Sequence, residues 1–273
     1  MRILVTLFLA LLINYGSFSQ SIYGYMGKRF YVKGAFTASP SIFSRNLEGN
    51  MAALKFNVIG TISADVVMNK KQVMAINYKR YSSVASVHSE GLGLIARQGF
   101  VFDGGSSSDS WEIGDFRFTT NEIGWNYQFF GKNLDAPLGT FISVGFGFAM
   151  SKFDAPFQTL NQSTTSGTLT NAQVLQFDNS TVITSPIIRF GLGKQTVFWD
   201  RFLFDVGMDI GLNLAFIGTQ FASLNPFGSG STSTGGSVLT QEEFERVSKK
   251  AVQNRVFMMN LVNFRMGLAF LLF

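Results

Sequence analysis

The single histidine of the chain is the first place where catalysis could be located. His88 is followed by Ser89 and Glu90, and these three residue types supply the base, nucleophile and acid of many hydrolases. A catalytic triad, however, is defined by residues that meet in space, and three neighbours within one loop cannot easily face one another. We therefore interpret His88 as a solvated loop residue and predict that the protein is not an enzyme.

Two further patterns suggest ligand binding but lack the required spacing. Asp103 and Asp109 flank a Gly/Ser stretch, without the regular ligand positions of an EF-hand loop. Two Gly-X-Gly triplets, at 145–147 and 191–193, are not followed by the helix that a phosphate-binding loop needs. The chain contains no cysteine, which excludes disulfides and thiolate ligands. We expect no cofactor and no metal site.

Eight runs of alternating apolar and polar residues organise the chain. They cover residues 30–38, 56–68, 72–81, 116–130, 140–153, 182–194, 202–215 and 261–273. Alternation with a period of two predicts strands with one apolar and one polar face. The connections alternate between long polar loops, such as 82–114 and 154–180, and short turns, which is typical of membrane barrels. The predicted fold is all-β, an antiparallel transmembrane β-barrel of eight strands. A further hairpin involving residues 92–102 would give ten strands.

The polar faces of these strands carry four basic and four acidic residues. They are Lys33, Asp65, Lys79, Glu122, Arg189, Asp205, Asp209 and Arg265. The interior of an eight-stranded barrel is just wide enough for side chains to fill it, and charges removed from water must be paired. This pattern favours a structural salt-bridge network over an ion path, a proton path or a binding site.

The last and longest connection, residues 216–260, contains a predicted helix over about 240–256. Thr240 and Glu243 have capping-box spacing, and Phe244, Val247 and Ala251 recur at helical spacing. The helix is expected either to cap the mouth of the barrel or to dock another envelope protein.

The N-terminus has the pattern of a secretory signal peptide. Arg2 precedes an apolar run over residues 3–13 and a small, polar stretch over 16–20. The apolar run is shorter than the roughly 20 residues that a membrane helix requires. We predict a cleaved signal peptide over residues 1–19 and a single barrel domain over 20–273.

The C-terminal strand directs Phe264 and Phe270 to one face and Arg265 to the other, and the chain stops at Phe273. A chain that ends in this way resembles bacterial outer-membrane proteins, in which the last strand closes the barrel and carries the insertion signal. In many such proteins the terminal aromatic residue shares the lipid-facing phase. Here that phase would place Arg265 in lipid, at a cost of about 2–4 kcal/mol at the bilayer midplane, so we expect Arg265 to face inward.

The mature chain resembles the small OmpA-like barrels, without a peptidoglycan-binding domain, as found among Bacteroidota outer-membrane β-barrel proteins. The resemblance implies a bacterial outer-membrane location with both termini in the periplasm and contact with outer-membrane lipid and lipopolysaccharide. It also suggests a non-enzymatic structural or interaction subunit of a larger envelope complex serving secretion, uptake or barrel assembly. A narrow pore or small-solute carrier is the alternative, and a lipid-modifying enzyme is a third hypothesis. The basic residues form no stripe, so nucleic acid is not an expected partner.

Overall fold

The computed structural model describes residues 24–40, 56–85, 102–104, 109–113, 116–131, 135–154, 157–163, 172–176, 182–215 and 241–272. The strands are β1 Phe30–Pro40, β2 Phe56–Asn69, β3 Gln72–Ala85, β4 Phe102–Gly104, β5 Asp109–Ile113, β6 Phe116–Phe130, β7 Gly139–Phe153, β8 Phe157–Ser163, β9 Ala172–Gln176, β10 Ile183–Trp199, β11 Phe202–Asn213 and β12 Asn263–Leu271. Helix α1 covers Gln241–Leu261. The predicted signal peptide lies outside these ranges and stays a prediction.

Eight of the strands close into a barrel. They follow the order β1-β12-β11-β10-β7-β6-β3-β2, and β1 pairs antiparallel with both β2 and β12. Closure leaves no strand edge unpaired, which is the condition for a sheet to exist in lipid. The prediction of an eight-stranded antiparallel barrel is confirmed. The ten-strand alternative is wrong, because the barrel closes with eight strands and Phe102, the one described residue of 92–102, pairs in a separate sheet.

Burial alternates along the barrel strands with the predicted phase. In β12, Phe264, Met266 and Leu268 are 47%, 54% and 53% exposed, whereas Arg265 and Ala269 are 8% and 2% exposed. The outward residues of the other barrel strands include Phe36, Val58, Ile62, Ile142 and Leu192, all exposed. The exterior is therefore an apolar belt of the kind that a soluble monomer rarely presents.

The two ends of the barrel differ. At the end that we call the turn end, β2 and β3 are joined through Lys70 and Lys71, and β10 and β11 through Asp200 and Arg201. The opposite end, from which the long connections leave, is called the loop end. Exposed aromatic rings gather at the turn end, where the ring centroids of Trp199 and Phe202 lie 6.5 Å apart. Such rings are typical of the girdle at a membrane interface.

Two of the predicted polar loops contain strands, so the prediction for residues 82–114 and 154–180 is wrong in this respect. Strands β4 and β5 from the first connection and β8 and β9 from the second form a four-stranded sheet in the order β4-β5-β8-β9. The link between the two connections is the antiparallel pairing of β5 with β8. These strands have only three to seven residues, and pairing between distant loops leaves no local pattern.

Several element boundaries also differ from prediction. β3 and β10 continue to Ala85 and Trp199, and α1 continues to Leu261, five residues beyond its predicted end. The final turns of α1 are buried against the barrel, so tertiary packing extends this helix beyond what local propensity indicates. Within the described ranges, no helix combines the length and the apolar character needed to cross a membrane.

The register of the closing strand pair can be tested at Gly267, which faces inward opposite Ala35. A Cβ added at Gly267 would lie 2.7 Å from the Ala35 Cβ and 2.9 Å from the Gly34 carbonyl oxygen. We expect Gly267→Val to lower the free energy of unfolding by about 1–3 kcal/mol, as overpacking does, measured by urea unfolding in detergent micelles. Gly34→Val is the matched control, because a Cβ there meets nothing within 4 Å. Equal stability of the two variants would contradict the register.

Candidate functional site

The barrel brings all eight predicted charged residues into one lumen. Lys33, Asp65, Lys79, Glu122, Arg189, Asp205 and Arg265 are buried, and the side chain of Asp209 is 16% exposed. They come from β1, β2, β3, β6, β10, β11 and β12. They form two groups, which we call the turn-side cluster and the loop-side cluster.

The turn-side cluster consists of Lys33, Asp65, Asp205, Asp209 and Arg265. The ammonium of Lys33 lies 3.2 Å from Asp65 Oδ2 and 3.0 Å from Asp205 Oδ2. Arg265 donates from Nε to Asp205 Oδ2 at 3.1 Å and from Nη1 to Asp209 Oδ2 at 2.6 Å. The carboxylate of Asp205 thus joins two cations that come from different strands.

The strand register explains how one guanidinium reaches two carboxylates. Arg265 is directly opposite Gly207 in the β11–β12 pair, so Asp205 and Asp209 are its two diagonal neighbours, within the reach of a long side chain. Gly207 leaves the necessary space, since a Cβ there would lie 3.0 Å from Arg265 Nη2.

The loop-side cluster consists of Lys79, Glu122 and Arg189. Lys79 is directly opposite Glu122 in the β3–β6 pair, and its Nζ lies 3.3 Å from Glu122 Oε1. Arg189 donates to the same oxygen and, at 3.2 Å, to Asn260 Oδ1 of α1. The two cations therefore share one buried carboxylate.

Glycines let Arg189 reach across the neighbouring strand. Its β7 partner is Gly145, and Glu122 is on β6, on the far side of β7. Cβ atoms at Gly124 and Gly147 would lie 3.0 Å and 3.1 Å from Arg189 Nη1. These inward glycines therefore leave space for the arginine side chain.

An apolar cluster closes the lumen at the turn end. Its buried members are Tyr31, Val67, Val73, Phe130, Ala136, Phe141, Leu203, Ala269 and Leu271. The Phe141 ring also faces the turn-side cluster, with the Arg265 guanidinium carbon 5.8 Å from the ring centroid, a cation–π distance.

Helix α1 occupies the loop end. Met259 packs with Ile59 and Tyr81, and Arg255, completely buried, donates from Nε to Ser83 Oγ at 2.9 Å. Arg255 and Asn260 are lumen residues that sequence analysis missed. Arg255 is within the predicted helix, but spacing alone does not show that a polar side chain points into a barrel. Asn260 lies beyond the predicted end of this helix, at the end of the predicted loop.

The structure places the remaining predicted site residues as follows. Ala251 is buried, at 8% exposure. The backbone of α1 includes Glu243, Phe244 and Val247, whose side chains are outside the described part. Thr240 is outside the described residues. Phe264 and Phe270 are on the outer face, and Phe273 and His88 are outside the described residues. Where the chain is described, no three His, Cys, Asp or Glu side chains form a group that could hold a metal.

A small cavity separates the clusters. Its volume is about 30 Å³, and its walls include residues from both clusters: Lys33, Lys79, Arg189, Asp209 and Arg265. Since one water needs about 10–15 Å³, this space accommodates about two waters. The described part of the lumen is therefore filled by packed side chains around a space for about two waters.

Comparison with known proteins found no matching family model and no matching curated protein. Similar solved structures are bacterial barrels. They include the N-terminal β-barrel domain of Pseudomonas aeruginosa OprF (TM-score 0.34, 11% identity, 89% of this chain and 97% of that chain) and Neisserial surface protein A (0.32, 11%, 89% and 97%). A third is Ail of Yersinia pestis in complex with the heparin analogue sucrose octasulfate (0.33, 9%, 89% and 96%). The barrel class rests on the strand pairing itself.

The turn-side cluster can be tested at Asp205. Asp205→Asn removes the buried negative charge that the ammonium of Lys33 and the guanidinium of Arg265 share. We therefore expect the free energy of unfolding to fall by about 3–5 kcal/mol. Asp135→Asn is the control, because the Lys71–Asp135 pair is 3.6 Å long with side chains 39% and 55% exposed, and such pairs contribute at most about 1 kcal/mol. Similar losses in the two variants would show that the cluster does not stabilise the barrel.

The docking of α1 can be tested at Gly211, where a Cβ would lie 2.8 Å from the Asn260 carbonyl oxygen. The chain has no cysteine, and Ser248 on α1 is fully buried. A Ser248→Cys variant therefore reacts with maleimide only when the helix is displaced. We expect Gly211→Val to speed labelling by about 5- to 150-fold, the equivalent of about 1–3 kcal/mol of overpacking. Lys249→Cys, at a side chain 41% exposed, should be labelled equally in both backgrounds. Unchanged protection of position 248 would mean that Gly211 does not hold the helix.

Proposed function

We propose that this chain is an integral outer-membrane barrel, sealed to solutes, that acts as a non-enzymatic interaction subunit of a larger envelope complex. The observation that carries the proposal is the contrast between a filled lumen and an added sheet. The interior is occupied from the apolar cluster to α1, whereas two long connections build a second, four-stranded sheet.

The membrane location is supported by the exterior of the barrel. Outward residues of its strands are apolar and exposed, and all backbone groups of a closed sheet can be paired without water. The chain also enters and leaves the barrel at the turn end, where the Leu272 amide donates to the Phe30 carbonyl at 2.9 Å. In outer-membrane barrels the short turns face the periplasm, which supports periplasmic termini.

A filled lumen favours the subunit function over a pore or carrier. A solute path would need continuous space past both clusters, but the cavity between them holds only about two waters. Buried ion pairs on both sides of that cavity would have to separate before a solute could pass, and leaving one partner unpaired costs about 3–5 kcal/mol.

The sheet formed by β4, β5, β8 and β9 is the best candidate for the docking surface. Its order leaves β4 and β9 as edge strands among the described residues, unlike any strand of the barrel. An edge strand presents unpaired N–H and C=O groups that can accept a further strand. The partner expected from this geometry is an envelope protein that adds a strand or an extended loop.

Affinity purification of the tagged protein in mild detergent, with Leu160→Pro as the variant, tests this proposal. Leu160 on β8 pairs with Ile113 on one side and Gln173 on the other, so a proline there disrupts the centre of the added sheet. We expect a stoichiometric partner on the wild type that is lost from Leu160→Pro while the barrel stays folded.

Gly60→Ala is the matched control, because it alters only the outer wall, where a Cβ meets nothing within 4 Å. It should retain the partner. A partner retained equally by Leu160→Pro would remove the sheet as the docking surface. A reproducible single-channel current from the purified wild type would contradict the sealed lumen and favour the pore.

A further inference from the structure

The outer wall of the barrel has few charged side chains, and those on the described strands are all positive. They are Arg80, Arg117, Lys152 and Lys194, and each is exposed on the outward face of its strand. Lys194 is on β10 toward the turn end, opposite Thr140. The other three lie near the loop end of β3, β6 and β7, which are consecutive strands of the wall.

The strand register brings these three residues into one patch, which we call the loop-end basic patch. Thr119 on β6 is opposite Ser82 on β3 and Lys152 on β7. Arg80 and Arg117 each lie two residues from this row, and therefore on the same face of the sheet. Since neighbouring strands are about 4.8 Å apart, the patch is on the order of 10 Å wide.

The loop-end basic patch borders the apolar belt. The outward row adjoining it on the side of the turn end is formed by Tyr78, Ile123 and Phe148, which are 41%, 45% and 38% exposed. Basic side chains at the edge of such a belt lie where lipid headgroups begin. In outer-membrane barrels the long loops face outside, so these headgroups belong to the outer leaflet.

The cations of the patch are available to an external anion. Within the described part of the chain, the side chains of Arg80, Arg117 and Lys152 are in no ion pair or hydrogen bond. The carboxylate described at the patch, Asp154, accepts a hydrogen bond from Thr119 Oγ1 at 2.7 Å. Three cations and one carboxylate leave the patch with a net positive charge.

The wall on the other side of the barrel lacks this feature. The outward faces of β1, β2, β11 and β12 have no charged residue among those described. Near the loop end they present Phe56, Val58 and Phe264, which are 55%, 56% and 47% exposed. A general need for solubility at the membrane surface would distribute cations around the barrel, so their restriction to one side favours a specific ligand.

We propose that the loop-end basic patch binds the phosphate groups of a phosphorylated glycolipid of the outer leaflet, the lipid A part of lipopolysaccharide. The acyl chains of this lipid lie along the adjoining apolar row, and the cations pair with its phosphates. Three cations on neighbouring strands suit a headgroup with two phosphates better than one with a single phosphate. The proposal rests on the membrane location and orientation proposed above and is independent of the docking sheet.

Native mass spectrometry of the intact protein in detergent, titrated with defined lipids at low ionic strength, tests the proposal. We expect lipid A to bind about 10- to 150-fold more tightly than dephosphorylated lipid A, because each basic residue contributes to the attraction. Phosphatidylglycerol should also bind more weakly than lipid A. Equal affinity for the dephosphorylated lipid, or for phosphatidylglycerol, would overturn the proposal.

Two triple variants with the same change in charge locate the site. The patch variant combines Arg80→Gln, Arg117→Gln and Lys152→Gln. The control variant removes three cations near the turn end and combines Lys70→Gln, Lys71→Gln and Lys194→Gln. The patch variant should lose the preference for lipid A over its dephosphorylated form, whereas the control variant should retain it. An equal loss in both variants would assign the preference to net charge and overturn the proposal.

Flotation with lipid vesicles separates failure of this inference from failure of the proposed function. A wild type that does not float with vesicles would contradict the membrane barrel and the lipid site together. A wild type and a patch variant that both float, but bind lipid A equally, would overturn the lipid site alone. The comparison of lipids on the wild type does not depend on whether either variant folds.

Discussion

A charge in the packed lumen of a closed barrel has to be balanced by its neighbours, because very little water surrounds it. The carboxylate of Asp205 shows the constraint most clearly, since it contacts the ammonium of Lys33 at 3.0 Å and Nε of Arg265 at 3.1 Å. Those cations lie on β1 and β12, the two strands that close the barrel. Closure of the sheet and pairing of the charges therefore depend on the same strands, and neither can form fully without the other.

Several inward-facing glycines of the barrel follow from this pairing. A long cationic side chain can reach a carboxylate on another strand only if no side chain between them blocks its path. Gly207 leaves this space for Arg265, and Gly147 leaves it for Arg189. Gly211 serves a different contact, because the carbonyl of Asn260 at the end of α1 approaches it. These inward glycines thus reflect the close approach of side chains and of a helix more than flexibility.

Helix α1 helps to fill the interior of the barrel, whereas the sheet formed by β4, β5, β8 and β9 adds structure outside it. The end of α1 is continuous with β12, which begins at Asn263, so the helix lies in the mouth of the barrel directly above the strand that completes the wall. The interior then serves stability, while the long connections supply surfaces on which binding can vary. This separation of a rigid scaffold from functional loops is common in proteins.

The alternating pattern by itself predicted the eight strands, the antiparallel order of neighbours and the face of most strand residues, because the apolar side of each strand has to face lipid and the polar side the lumen. The inward position of Arg265 could be predicted for that reason. Only the tertiary structure decided which charges meet: Arg189 reaches Glu122 across β7, a contact that depends on the stagger of the closed sheet. It also decided the pairing of β5 with β8 and the burial of Arg255, since contacts between segments far apart in sequence leave no periodic signal in either segment.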